Sequence, residues 1–97
     1  MKDLAVLEEL WDVINDRAEH PSSDSYVSSL LTHRKGIDKT LEKVGEEATE
    51  FILAVKNGED TRTIEEGADL LFHFLVALKA ADVDIEDILG ELAARRK

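Results

Sequence analysis

The sequence contains no cysteine, which excludes disulfides, thiolate metal ligands and cysteine nucleophiles and leaves the redox compartment unread. One proline and five glycines leave few breakers in 97 residues. No segment alternates apolar and polar side chains over a useful length, so strands are not expected. No apolar run reaches the ~20 residues of a bilayer span, and the longest, Leu70 to Leu78, is interrupted by His73. No basic segment followed by an apolar run opens the chain, so a soluble, cytoplasmic protein without a membrane partner is the expectation. Basic residues are also scarce. Twelve Lys and Arg stand against 22 Asp and Glu, a formal net charge of −10. That charge repels a phosphate backbone, speaks against nucleic-acid binding and favours cations. Part of the excess is also what a surface adapted to high salt carries.

What remains reads as helix. The length suits one small domain, residues 1–97, of all-α class, built as a bundle of four to five helices. A first helix is expected from Asp3 to Ala18, with Leu4, Leu7, Leu10, Trp11, Ile14 and Ala18 as its stripe. Trp11 belongs to that stripe rather than to a base-stacking surface. After the loop His20-Pro21-Ser22, Ser23 or Asp24 can cap a short helix ending at Leu31. The third helix is expected from Ile37 to Lys56, bounded by Lys35-Gly36 and Asn57-Gly58. Its seam is Ile37, Leu41, Val44, Ala48, Phe51 and Val55, a spacing of the helix-bundle kind. Thr63-Ile64-Glu65-Glu66 fits a capping box opening a fourth helix. From Leu70 to Leu78 that helix is apolar on nearly every side, which places it centrally. A chain this short cannot cover it all round, so a core completed by a second copy is expected. Asp84-Ile85-Glu86-Asp87 opens a last helix to about Ala94, closed by Arg95, Arg96 and Lys97.

Acidic residues on the third and fourth helices carry the chemistry. Glu47 and Glu50 lie one turn apart on one flank of the seam, and Glu66 and Asp69 repeat that offset on the next helix. If the two helices pack antiparallel, as their short connection suggests, the four carboxylates converge. Unpaired, they repel and drive one another to protonate; a divalent cation removes that penalty, and an all-oxygen set selects Mg²⁺, Mn²⁺ or Ca²⁺. Taken alone, Glu46-Glu47-Ala48-Thr49-Glu50 is also what a solvated helix face carries. Asp69 tips the balance, because an ionised aspartate opening an apolar stretch needs a partner. Gly67, costing about 1 kcal/mol of helix propensity relative to alanine, points to a close approach. His73 reads as a core histidine bonded to Asp69 or a carbonyl, as a residue orienting Asp69, or as a substrate contact. Lys39 and Lys43 share the flank of Glu47 and Glu50, either as ion-pair partners within the helix or as phosphate contacts. Ser25, Tyr26, Arg34 and Lys35 precede that helix and are placed to close over a phosphorylated ligand.

Glu46-Glu47-x-x-Glu50 followed by Glu66-x-x-Asp69 resembles the signature of the MazG-like all-α nucleotide pyrophosphohydrolases. The wider text, Ser25-Tyr26, Gly36-Ile37-Asp38-Lys39, Lys43-Val44-Gly45-Glu46-Glu47-Ala48 and Ala68-Asp69-Leu70-Leu71-Phe72-His73, is similar over essentially the whole chain to the phosphoribosyl-ATP pyrophosphohydrolase family. The resemblance implies hydrolysis of 1-(5-phosphoribosyl)-ATP to 1-(5-phosphoribosyl)-AMP and pyrophosphate in histidine biosynthesis. It implies Glu47, Glu50, Glu66 and Asp69 as Mg²⁺ ligands and a helical homodimer or larger assembly. Glu46, Glu47 and Glu50 are then the catalytic candidates, with Glu46 or Glu50 orienting or deprotonating the attacking water. Ser25, Tyr26, Arg34, Lys39, Lys43 and His73 are the substrate-binding candidates. Val27, Gly67 and Phe72 depart from threonine, alanine and tyrosine in the family pattern. The chain has no room for the cyclohydrolase to which the family is often fused, so one activity is expected. The rival enzyme reading is a pyrophosphatase of free or non-canonical nucleoside triphosphates, and the rival outside enzymology is a helical interaction module with solubilising acids.

Overall fold

Short polar side chains decide where several of the helices begin. The structure, a computed structural model, describes residues 3–96, so the expected contribution of Lys97 lies outside the described residues. The Asp3 carboxylate accepts the Ala5 N–H at 2.9 Å at the head of α1, Ala5–Glu19. Ser25 Oγ accepts the Ser28 N–H at 3.1 Å and caps α2, Tyr26–Leu31, slightly later in the chain than the Ser23 or Asp24 expected. Asp84 accepts from the Glu86 N–H at 2.8 Å and caps α5, Ile85–Ala94. Between them, α3 spans Ile37–Lys56 and α4 spans Asp60–Ala80. Among the described residues there is no strand, and the chain is all-α.

α4 corrects one expectation. It begins at Asp60 after Glu59, a turn before Thr63, and no side chain caps it. The Thr63 N–H is satisfied by the Glu59 carbonyl at 2.8 Å. The capping box is therefore not formed, and Glu66 stands inside the helix with its carboxylate directed elsewhere. The early start follows from how α3 ends. Gly58 adopts φ 69°, the left-handed conformation glycine enters without penalty. The Gly58 N–H then bonds the Val55 carbonyl and the Glu59 N–H the Ala54 carbonyl, both at 3.1 Å. This paired closure turns the chain over Asn57–Glu59 and lets α4 start at once.

α3 and α4 form an antiparallel hairpin, the most extensive helix–helix contact among the described residues. Phe51 lies against Gly67, and nearer the start of α3, Glu47 meets Asp69 further along α4. An alanine Cβ at Gly67 would lie 3.5 Å from the Phe51 ring, an ordinary contact, so the packing does not require glycine there. A small core of Ile14, Val27, Leu30, Leu75 and Val76 joins α1, α2 and α4, with Trp11 packed against it. The Leu70–Leu78 stretch is central only in part: His73, Leu75 and Val76 are buried, while Leu71 and Phe74 are exposed.

Part of the α3 seam is also left uncovered. The face turned to α4 carries the buried Thr40, Glu47 and Ala54, so Ile37, Leu41 and Val55 remain exposed, as does Ile64, 73% accessible, on α4. The chain exposes 6987 Å², against about 5,500 Å² for a compact monomer of this mass. Its radius of gyration is 14.5 Å, against about 12.5 Å for a compact domain of this length.

Two stability measurements check this packing. Leu75→Ala empties part of the core and is expected to cost about 2–5 kcal/mol in denaturant unfolding. Gly67→Ala is expected to stabilise by up to about 1 kcal/mol, because helix propensity is gained and the Phe51 ring accommodates the methyl group.

Candidate metal centre

The hairpin brings acids from both helices to one place. One carboxylate oxygen from each of Glu47, Glu66 and Asp69 lies within 4.8 Å of the other two. Glu47 is buried, with 7% of its surface accessible, while Asp69 opens to solvent. Glu66 Oε1 accepts from Arg62 Nη2 at 3.3 Å, a pair legible as i,i+4 spacing that the sequence reading missed. Oε2 of Glu47 and Oε2 of Glu66 are buried without a hydrogen-bond partner among the described residues. Buried carboxyl oxygens without a partner are costly, and a bound cation would satisfy them.

The electrostatics agree. Glu47 is pushed up to about 7, first by burial, then by hydrogen bonding to and repulsion from Glu50, then by Asp69, with Lys43 opposing. The crowded carboxylates therefore relieve part of their charge by taking up a proton as pH falls toward 7. Lys43 Nζ lies 3.3 Å from Glu46 and 3.6 Å from Glu47. Burial pulls that ammonium down, but the hydrogen bond to Glu46 and the charges of Glu46 and Glu47 help hold it above its ordinary value. Lys43 and Arg62 together do not neutralise the three carboxylates. The donor set fits a hard divalent cation: all oxygen, from two helices, open on the Asp69 side.

The remaining candidates separate into two groups. Glu50 neighbours Glu47 but stands outside the tight trio, on an exposed position. Glu46 is exposed and tied to Lys43. His73, on α4, is bonded to Tyr26 of α2 and joins the same neighbourhood. Ser25 spends its hydroxyl oxygen on the α2 cap. Lys35 pairs with Glu42 at 2.9 Å, away from the trio. Among the described residues no hydrogen bond or ion pair links Ser25, Arg34 or Lys39 to the carboxylates. A depression of about 440 Å³ between α1 and α5 does not include the trio.

The model of the family described as phosphoribosyl-ATP pyrophosphohydrolase matches residues 7–96. A protein of Methanoculleus marisnigri named phosphoribosyl-ATP pyrophosphatase is 69% identical over 97 residues, covering 100% of both chains. A relative of the same name from Methanosphaerula palustris is 71% identical over 97 residues, covering 100% of this chain and 98% of its own. Another, from Methanococcoides burtonii, is 55% identical over 94 residues, covering 97% and 95%.

The raised Glu47 carboxyl gives a pH prediction with a definite sign. Cation binding needs the carboxylate, so Mg²⁺ affinity is expected to fall as pH drops below about 7, with protons released on binding. In the metal-free protein a carboxyl raised on folding contributes stability that is present at low pH and lost as pH rises through about 7. Calorimetric titration with Mg²⁺ in buffers of different ionisation enthalpy counts the protons; release of none at neutral pH contradicts the assignment.

Proposed function

The chain belongs to the phosphoribosyl-ATP pyrophosphohydrolase family, and from that premise we propose that it hydrolyses 1-(5-phosphoribosyl)-ATP to 1-(5-phosphoribosyl)-AMP and pyrophosphate with Mg²⁺ held by its α3–α4 carboxylates. The substrate follows from the family. The observation that supports the site is the convergence of Glu47, Glu66 and Asp69 with two buried, unpartnered oxygens.

In this reading Glu47, Glu66 and Asp69 hold the ion, and Glu50 completes the set from its position beside Glu47. A bound Mg²⁺ supplies charge neutralisation at the phosphate oxygens and acidification of water. The protein's own groups do the rest. Glu46 is engaged by Lys43 at 3.3 Å, whereas no ion pair among the described residues engages Glu50, which is therefore the carboxylate assigned to orient the attacking water and take its proton. The Lys43 ammonium, held charged beside Glu46 and Glu47, offsets negative charge where a polyphosphate chain meets the carboxylates.

The catalytic unit is a single domain that works as a homodimer or larger homo-oligomer. The support is the apolar surface left on α3 and α4, with Ile37, Leu41, Val55 and Ile64 all exposed, together with the excess of accessible area over a compact monomer. Such an assembly gains stability by mass action, so its melting temperature is expected to rise with protein concentration; a chain that sediments as a monomer without that rise contradicts it.

The activity is tested by measuring pyrophosphate release from phosphoribosyl-ATP, dCTP and dUTP side by side. Preference for phosphoribosyl-ATP is the expected result, and preference for a free triphosphate returns the chain to the rival nucleotide reading. Glu47→Gln and Asp69→Asn are expected to abolish Mg²⁺-dependent release while helical circular dichroism is retained. Near-full activity in either variant refutes the site.

A further inference from the structure

We propose that Tyr26 is a positioning residue for the metal-binding carboxylates, acting through His73 on the turn of α4 that carries Asp69. The proposal rests on Glu47, Glu66 and Asp69 being the metal ligands.

The ring of His73 is buried, with 6% of the residue accessible, and both nitrogens are engaged. Nδ1 lies 2.7 Å from the Asp69 carbonyl oxygen and Nε2 lies 2.9 Å from the Tyr26 hydroxyl. A carbonyl oxygen only accepts, so Nδ1 carries the hydrogen. In the neutral imidazole Nε2 is then the acceptor, and the Tyr26 hydroxyl donates to it. Two consequences follow. His73 has no free nitrogen for a substrate, so its place is behind the site. In that arrangement Tyr26 has committed its only proton to His73, and its remaining lone pairs give a phosphate oxygen no hydrogen bond. Neither residue therefore works by gripping phosphate.

What the pair does is join helices. Tyr26 and His73 are 47 positions apart, and their hydrogen bond adds a polar tie to the apolar packing of Val27 and Leu30 of α2 against Leu75 and Val76 of α4. The hydrogen bond runs from α2 into the imidazole and on to the Asp69 carbonyl, one turn back along α4. It fixes how the Asp69 turn faces α3, and hence how the Asp69 carboxylate meets Glu47. The ring of Tyr26 also stacks on Phe72 at 6.0 Å and 20°. His73 stands edge-on to both, at 83° to Tyr26 and 86° to Phe72. Removing the hydroxyl alone leaves that aromatic cluster in place and isolates the contribution of the hydrogen bond.

The test uses Tyr26→Phe, His73→Phe and the double variant in the full chain, with Mg²⁺ affinity by calorimetry and steady-state kinetics on phosphoribosyl-ATP. Tyr26→Phe is expected to weaken Mg²⁺ binding by about tenfold, and at saturating Mg²⁺ to lower kcat by about tenfold with KM unchanged within about twofold, the loss typical of a group orienting a metal ligand. The double variant is expected to lose no more than His73→Phe alone, because Tyr26 acts through that ring. A raised KM with unchanged kcat, a wild-type Mg²⁺ affinity in Tyr26→Phe, or multiplicative losses in the double variant each overturn the proposal. If His73→Phe does not fold, the affinity and the KM-against-kcat split of Tyr26→Phe decide alone. A wild-type chain that does not turn over phosphoribosyl-ATP, yet loses Mg²⁺ affinity on Tyr26→Phe, overturns the substrate reading and leaves the positioning role standing.

Discussion

Like charges held together at a helix–helix interface are the constraint around which this fold is arranged. Glu47 is buried on the side of α3 that packs against α4, within 4.8 Å of oxygens from Glu66 and Asp69. In water such groups would separate. Here the tight turn over Asn57–Glu59 and the antiparallel packing keep them together, and the site answers by raising the affinity of Glu47 for a proton. A proton relieves the repulsion partially; a divalent cation satisfies the orphaned oxygens as well. Lys43, Arg62 and the Tyr26–His73 pair are arranged about that point, each touching one of the three carboxylates or the backbone that carries one.

Placing the acids on the polar flank of one helix and the inner flank of the next has a structural consequence. The side of α3 facing α4 is occupied by Thr40, Glu47 and Ala54, so much of the apolar seam must find cover elsewhere. A protein of 97 residues has few other elements to offer. The carboxylate cluster and the exposed apolar face are thus two results of one choice of register between α3 and α4.

Much of this was legible in the sequence. The ends of α3 were readable because Gly36 and Gly58 flank it, and the start of α5 because Asp84 is a strong cap. The carboxylate trio was readable because a three-residue offset repeats on adjacent helices. Other features depended on packing that one-dimensional patterns do not carry. Thr63 and Glu66 satisfy the capping-box pattern, yet the turn made possible by Gly58 lets α4 begin at Asp60 and frees Glu66 for the site. The seam of α3 predicts an apolar contact without saying which partner supplies it. Gly67 suggested a backbone too close for a side chain, where the Phe51 ring leaves room for a methyl group. Glu50 shares the flank of Glu47 but stands outside the trio, because a 100° step per residue fixes a direction and not the depth to which a side chain is buried. The hydrogen bond from Tyr26 to His73 spans 47 positions and left no periodic trace.

The central claim is that the α3–α4 carboxylates form one divalent-cation site. The most direct measurement is an anomalous difference map from crystals grown with Mn²⁺, which shares the oxygen-ligand preference of Mg²⁺. The account predicts a peak coordinated by Glu47, Glu66 and Asp69 with Glu50 drawn in beside Glu47. No peak at that position in well-ordered crystals, or a peak on the exposed acids elsewhere on the surface, would contradict it.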